Sequence, residues 1–170
     1  ADDTRLRVAA YEPGRDEQHR RRLTLITGLH AAIEHDELTL KYQPKVEIDT
    51  RSVKSLEALV RWQHGTLGAV SPGEFVPLAE SAGASRALTN WVLGAAIRQL
   101  AGWRREGLRV QLAVNLSAPD ILDPDLGDGI LRMLAEQGVE PTALLLEITE
   151  SAVMRDPELA ARHMQPLRAA

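Results

Sequence analysis

The sequence predicts an α/β fold in which parallel strands follow an antiparallel opening hairpin, and three observations carry that prediction. Two strand-like runs, LTLKYQPKV (Leu38–Val46) and VKSLEALVRW (Val53–Trp62), are separated only by EIDTRS. So short a turn joins antiparallel neighbours, because a parallel return needs a crossover of about a dozen residues. Beyond Trp62, helical and strand-like patterns alternate, the rhythm of strand-helix units. Every strand-like run also divides by parity into one apolar face and one face that turns polar toward its end.

The elements follow in order. Residues 1–16 read as the tail of a preceding domain or a linker, with one apolar stretch, LRVAAY, before the turn signal Pro13-Gly14. Asp16 is placed to cap a lead helix over 17–36, whose Leu23, Ile26, Leu29 and Ile33 fall on one stripe behind the basic run HRRR. After the hairpin, Ser71-Pro72-Gly73-Glu74 announces a short helix: Ser at the cap, Pro in the first turn, and Glu to close a capping box. A longer helix spans about Arg86 to Arg105, with Leu88, Trp91, Val92, Ala95, Ala96, Leu100 and Trp103 on its apolar side and Gly107 as terminator. Leu108–Ser117 reads as a strand, Leu126–Gln137 as a helix stopped by Gly138, Ala143–Ser151 as a strand, and Pro157–Ala169 as a final helix. About four strands are expected.

Composition removes several function classes. With 44% hydrophobic and 26% charged residues among 170, the chain can bury a sizeable core. Its net charge of −4 gives no basic footprint for general nucleic-acid binding. The absence of cysteine excludes disulfides, thiolate zinc sites and Cys nucleophiles. No run approaches the ~18 apolar residues of a membrane span. Cytoplasm is the expected compartment, with a membrane-anchored parent left open. The histidines lack HxxxH or HExxH spacing, and no GxSxG elbow, Walker loop or GxGxxG fingerprint occurs.

Parity then gathers the polar residues. One face of the hairpin carries Thr39, Lys41, Gln43 and Lys45 with Glu57, Leu59 and Arg61; the later strands add Gln111, Ala113 and Asn115, then Leu145, Glu147 and Thr149. Helices on both faces of a parallel sheet would call for nearly continuous apolar strands. A barrel with helices outside and chemistry at the C-terminal rim fits this pattern better. Glu57, Asn115 and Glu147 aimed at one place repel one another unless a cation joins them, and oxygen-only ligands suit Mg²⁺ or Mn²⁺ rather than zinc. Arg61, on the same face, has the planar shape that pairs with phosphate. The competing reading is a set of strand-end polar residues tied up in ion pairs. Glu150 is equally well read as a helper of Glu147 or as a carboxylate at a helix N-terminus.

The order YQPKV, EALVRWQH, SPGEFVPLAE, VNLS and LEITES resembles an EAL domain, the cyclic di-GMP phosphodiesterase module of bacterial signalling, over about Leu38 to Met154. The leading segment is similar to the linker after a GGDEF domain in tandem GGDEF-EAL proteins. The resemblance implies a modified TIM-type (β/α) barrel whose first strand is antiparallel, and hydrolysis of cyclic di-GMP to linear pGpG by two Mg²⁺ or Mn²⁺ ions. It also implies that Glu57, Asn115 and Glu147 are metal ligands, Glu57 being catalytic, and that Glu150 supports the catalytic loop. Gln43, Leu59 and Arg61 then line the dinucleotide. Gly65 stands where Pro is usual. On this likeness residues 37–170 make up the N-terminal half of the domain, an incomplete barrel. The 170 residues alone are therefore expected not to hydrolyse the dinucleotide, and an open strand edge to favour a homodimer. A degenerate EAL domain that binds cyclic di-GMP or a protein partner without cleaving is the alternative.

Overall fold

The computed structural model describes residues 15–35, 37–148 and 156–169. Helix α1 (Arg15–Glu34) leads into β1 (Leu38–Val46), β2 (Val53–His64), a short β3 (Gly68–Val70), α2 (Pro72–Ser81) and α3 (Ser85–Arg105). Strand β4 (Gln111–Leu116), α4 (Ala118–Ile121), α5 (Leu126–Gln137), a 3-10 turn at Pro141–Ala143 and β5 (Leu144–Ile148) follow. Helices α6 (Pro157–His163) and α7 (Gln165–Ala169) complete the described residues.

The sheet is mixed and runs β1-β2-β4-β5, with β3 added to β2. The opening pair is antiparallel, as the short turn requires, while β2-β4 and β4-β5 are parallel. Pro44, which has no N–H to give, lies in β1, an outer strand, where one backbone edge needs no partner. Because β1 occupies one edge of β2 along its length, β3 and β4 share the other. Strand β4 pairs with Ser55–Ala58 and β3 with Trp62–His64, leaving Leu59–Arg61 at a fork between them.

Alternation decides which face is covered. Leu38, Ala58, Trp62, Leu112, Val114, Leu116 and Leu144 all point to the helical side and are buried with Leu93, Ile97 and Leu100 of α3. Tyr42 meets Trp103 edge-on at 4.9 Å between ring centroids, and Trp62 meets Phe75 at 5.4 Å, closing this layer. The Trp62 indole N–H donates to Glu37 Oε2 at 2.9 Å, so the segment between α1 and β1 is tied to the end of β2.

Several local expectations are corrected. Helix α1 buries Leu25, Leu29 and Ala32, while Leu23 is 49% exposed, so the apolar stripe is rotated from the one the spacing suggested. The helix turns Gly28 toward β2, where a Cβ would come within 3.3 Å of His64 Nε2 and 3.5 Å of the Trp62 ring. The capping box at Ser71 does not form: Ser71 makes no side-chain cap bond, because Arg21 of α1 takes the Glu74 carboxylate through two bonds of 2.5 and 3.0 Å. Strand β4 begins at Gln111 rather than Leu108, since Gly107, in a left-handed conformation, ends the preceding turn. The last helical stretch breaks into α6 and α7 at Met164, just before Pro166. Five strands are present among the described residues, the three-residue β3 being too short to show in the sequence pattern. Helix α5 and its stop at Gly138, φ +62°, agree with expectation.

A buried carboxylate organises the exit of β4. Asp120, 4% exposed, accepts from the Thr89 hydroxyl at 2.8 Å, the Ser85 hydroxyl at 3.3 Å, and both the backbone N–H (2.8 Å) and hydroxyl (2.5 Å) of Ser117. It thereby joins α3 to the loop that follows Asn115 by two residues. Asp120→Ala leaves those donors without an acceptor and is expected to destabilise the fold by about 3 kcal/mol. Urea denaturation of variant and parent measures the difference, and a loss within experimental error would contradict the role given to Asp120.

Candidate functional site

The register confirms that the polar residues share a face. Gln43 lies opposite Glu57, Lys41 opposite Leu59 and Thr39 opposite Arg61 across the β1-β2 pair. Glu57 aligns with Ala113, and Asn115 with Glu147, across the parallel ladders. Ser55 and Ala113 are buried beneath them, small residues that let longer side chains from neighbouring strands lean together. Sequence reasoning thus placed Glu57, Asn115 and Glu147 correctly on one surface. Glu150 lies outside the described residues, as do the other residues of 149–155.

At the centre, Asn115 Nδ2 donates to Glu57 Oε1 at 2.8 Å. The other Glu57 oxygen receives Lys45 Nζ at 3.3 Å, and the same ammonium contacts Glu147 Oε1. In a flat sheet, three strand spacings, about 14 Å, separate β1 from β5. A Lys side chain cannot cross that distance to a Glu side chain unless the sheet curls around the shared face. The Lys45–Glu147 contact is therefore a side-chain signature of the curvature that a barrel needs.

These contacts set the electrostatics. The hydrogen bond from Asn115 holds the Glu57 carboxyl below its ordinary pKa; partial burial works against this, and Lys45 adds to it. Lys45 is pushed above its ordinary value, first by its bond to Glu147 and then, against some desolvation, by Glu57. Lys45 had been assigned to the polar face by parity but given no task. Lys41 and Arg61 share the face, and only the contacts single out Lys45 as the counter-ion of the two carboxylates.

Fit to a metal ion can be judged from the same contacts. The ammonium touches an oxygen of each carboxylate, so Glu57 and Glu147 converge on a single cationic position. The donor set of two carboxylates and an amide is hard and oxygen-rich, which suits a hard divalent ion. No group of three or more His, Cys, Asp or Glu side chains suited to a metal occurs among the described residues. Asn115, whose NH2 group is bonded to Glu57, would offer such an ion its amide oxygen.

Arg61 lies four residues beyond Glu57, about 13 Å along the strand. It makes no ion pair among the described residues and donates to the Val60 carbonyl at 2.8 Å. A cavity of about 610 Å³ opens at the fork in β2, with Leu59, Arg61 and Asn115 at one side and Val76, Leu88 and Val92 at the other. Apolar walls with a few polar groups at the mouth are the usual make-up of a small-molecule pocket. Gln43 is exposed beside Glu57.

Comparison with known proteins agrees with this geometry. The profile of a family described as EAL domain matches residues 27–170. A cyclic di-GMP phosphodiesterase of Pseudomonas aeruginosa is 42% identical over 160 residues, which is 92% of this chain and 27% of that protein. The bifunctional diguanylate cyclase/cyclic di-GMP phosphodiesterase MucR of the same organism is 36% identical over 160 residues, 94% of this chain and 23% of that protein. Among solved structures, the MucR phosphodiesterase in complex with c-di-GMP superposes with a TM-score of 0.81 at 38% identity, over 86% of this chain and 60% of the other. The Xanthomonas citri FimX EAL domain in complex with c-di-GMP gives 0.80 at 27% identity, over 91% and 60%. The chain therefore spans only about a quarter of the length of these two curated relatives.

The site also predicts a pH response. Glu57, with its folded pKa depressed, contributes stability that is present above the unfolded carboxylate value of about 4.3. That contribution is lost as pH falls through the folded value. Lys45, raised, contributes below about 10.4 and loses its share as pH rises through its own folded value. Urea midpoints between pH 3 and 7 should fall less steeply on the acid side for Asn115→Ala than for the parent. An identical acid limb in the two proteins contradicts the assignment to Glu57.

Proposed function

We propose that this chain, which belongs to the EAL domain family, provides the metal-binding and phosphate-facing strands of a phosphodiesterase that hydrolyses cyclic di-GMP to linear pGpG. The observation that carries this is the meeting of Glu57 and Glu147, from two strands, on one cationic position, with Asn115 of the strand between them bonded to Glu57. Relatives named as cyclic di-GMP phosphodiesterases, and neighbours solved with c-di-GMP, support the choice of substrate.

The residues divide the work by position. Glu57, Asn115 and Glu147 hold Mg²⁺ or Mn²⁺, Glu57 being the one whose carboxylate is already oriented by an amide partner. When bound, the metal lowers the pKa of water and neutralises charge on the phosphodiester. These three side chains supply part of the coordination of a two-ion site, and water or ligands outside the described residues supply the rest. Arg61 pairs with a non-bridging phosphate oxygen through its planar guanidinium. Leu59 gives a base an apolar wall at the cavity mouth, and Gln43 borders the substrate across from Glu57. Glu150 is assigned a supporting role for the loop after Glu147. The ~13 Å between Glu57 and Arg61 along the strand separates metal and anion contacts by the reach of a dinucleotide. An adjacent GGDEF domain, and self-association through the outer strand edges, are the protein contacts that accompany this reading.

The test is hydrolysis of cyclic di-GMP by a protein containing this chain, followed chromatographically with Mg²⁺ or Mn²⁺ present. Glu57→Gln is expected to lower kcat by about 10²-fold or more with the fold retained, and Arg61→Ala to raise KM by about tenfold. Turnover that persists in Glu57→Gln, or that survives complete chelation of metal, would falsify the assignment. Binding of cyclic di-GMP with no metal-dependent cleavage would make the domain a receptor instead.

A further inference from the structure

Lys45 occupies an unusual position for a surface-facing lysine. Its β1 backbone pairs with Ser55, one pleat below Glu57, and a bulge follows it at once between Lys45 and Val46. Bulges re-aim the neighbouring side chain. The ammonium rises along the concave face to touch carboxylates 12 and 102 residues away in sequence, Glu57 and Glu147. Asn115 holds the remaining Glu57 oxygen. Two carboxylates, one amide and one ammonium thus form a closed cluster in which the lysine supplies the positive charge.

We propose that Lys45 is a built-in counter-ion that occupies the cation position between Glu57 and Glu147 and is displaced when a divalent metal binds there. The inference rests on the metal reading given above. The physical case has three parts. A divalent ion and an ammonium that both touch the same two oxygens repel strongly at such short range. Lysine carries its charge on a flexible four-carbon stem, so it can withdraw with no change in the backbone. Its side chain is 38% exposed, which gives the ammonium water to withdraw into. Before metal arrives, the lysine keeps two like charges from splaying apart. Once metal is present, the same contact opposes binding and sets the concentration at which the site fills.

Manganese titration by calorimetry, at fixed pH and without nucleotide, tests this on the parent, Lys45→Met and Lys45→Arg. Thermal melting in chelator-treated buffer accompanies it. Lys45→Met is expected to bind Mn²⁺ about tenfold more tightly than the parent, a shift of about 1.4 kcal/mol, and to melt at a lower temperature without metal. Lys45→Arg, which keeps the charge, is expected to stay within about threefold of the parent. Equal or weaker binding by a folded Lys45→Met overturns the proposal and leaves the metal reading intact. No Mn²⁺ uptake by either the parent or Lys45→Met overturns the metal reading itself, and the proposal with it. Lys45→Gln, neutral but still able to hydrogen-bond, carries the same test if the methionine variant does not fold.

Discussion

Two carboxylates on the same face of one sheet, with a single strand between them, are held together against their own repulsion. Glu57 is fixed by the β2-β4 ladder and Glu147 by the β4-β5 ladder, so neither can move away without breaking backbone hydrogen bonds. The pairing register chooses the spot, and the side chains have to accommodate the charge. They do so with the Asn115 amide on one oxygen and the Lys45 ammonium shared between both acids. Such an arrangement is costly for stability unless its charges are paired. The surrounding structure serves largely to keep those ladders in place.

That service comes from the opposite face. The buried residues of β2, β4 and β5 pack under α3, and Asp120 draws α3, α4 and the end of β4 into one hydrogen-bonded unit that begins two residues after Asn115. The helical face buries apolar side chains and a single hydrogen-bonded carboxylate, Asp120, while the polar face is open and carries the paired acids. Each strand supplies both through the alternation of its side chains. Helix α1, through the Arg21–Glu74 pair, and the segment after it, through the Glu37–Trp62 bond, add a second support at the far end of β2.

Much of this was legible in the sequence, and the exceptions share a cause. Turn length gave the hairpin, glycine gave the stop of α5, and parity alone put Gln43, Glu57, Leu59, Arg61, Asn115 and Glu147 on one face. Those are local rules, and nothing distant competes with them here. The capping box failed because Arg21, 53 residues away, offers Glu74 a stronger partner than a backbone N–H. The stripe of α1 was misjudged because the helix docks through Leu25, Leu29 and Ala32, with Gly28 between them against β2, and leaves Leu23 outside. Lys45 was seen but not used, since its reach to Glu147 depends on sheet curvature, which no linear spacing records. Spacing alone left the ligand chemistry open, because two acids and an asparagine at strand ends fit an ion-pair cluster equally well.

The fork in β2 makes that strand a member of two neighbourhoods. Its lower part, with Glu57, is clamped between β1 and β4, while its upper part, with Trp62, is clamped between β1 and β3. Leu59 and Arg61 occupy the junction, where one neighbour has left and the other has just arrived. The acid cluster and Arg61 thus sit beside different pairings of one strand. Both neighbourhoods stay joined through β1, which pairs with the strand from Val53 to Trp62, and through α3, which packs against both α2 and β4.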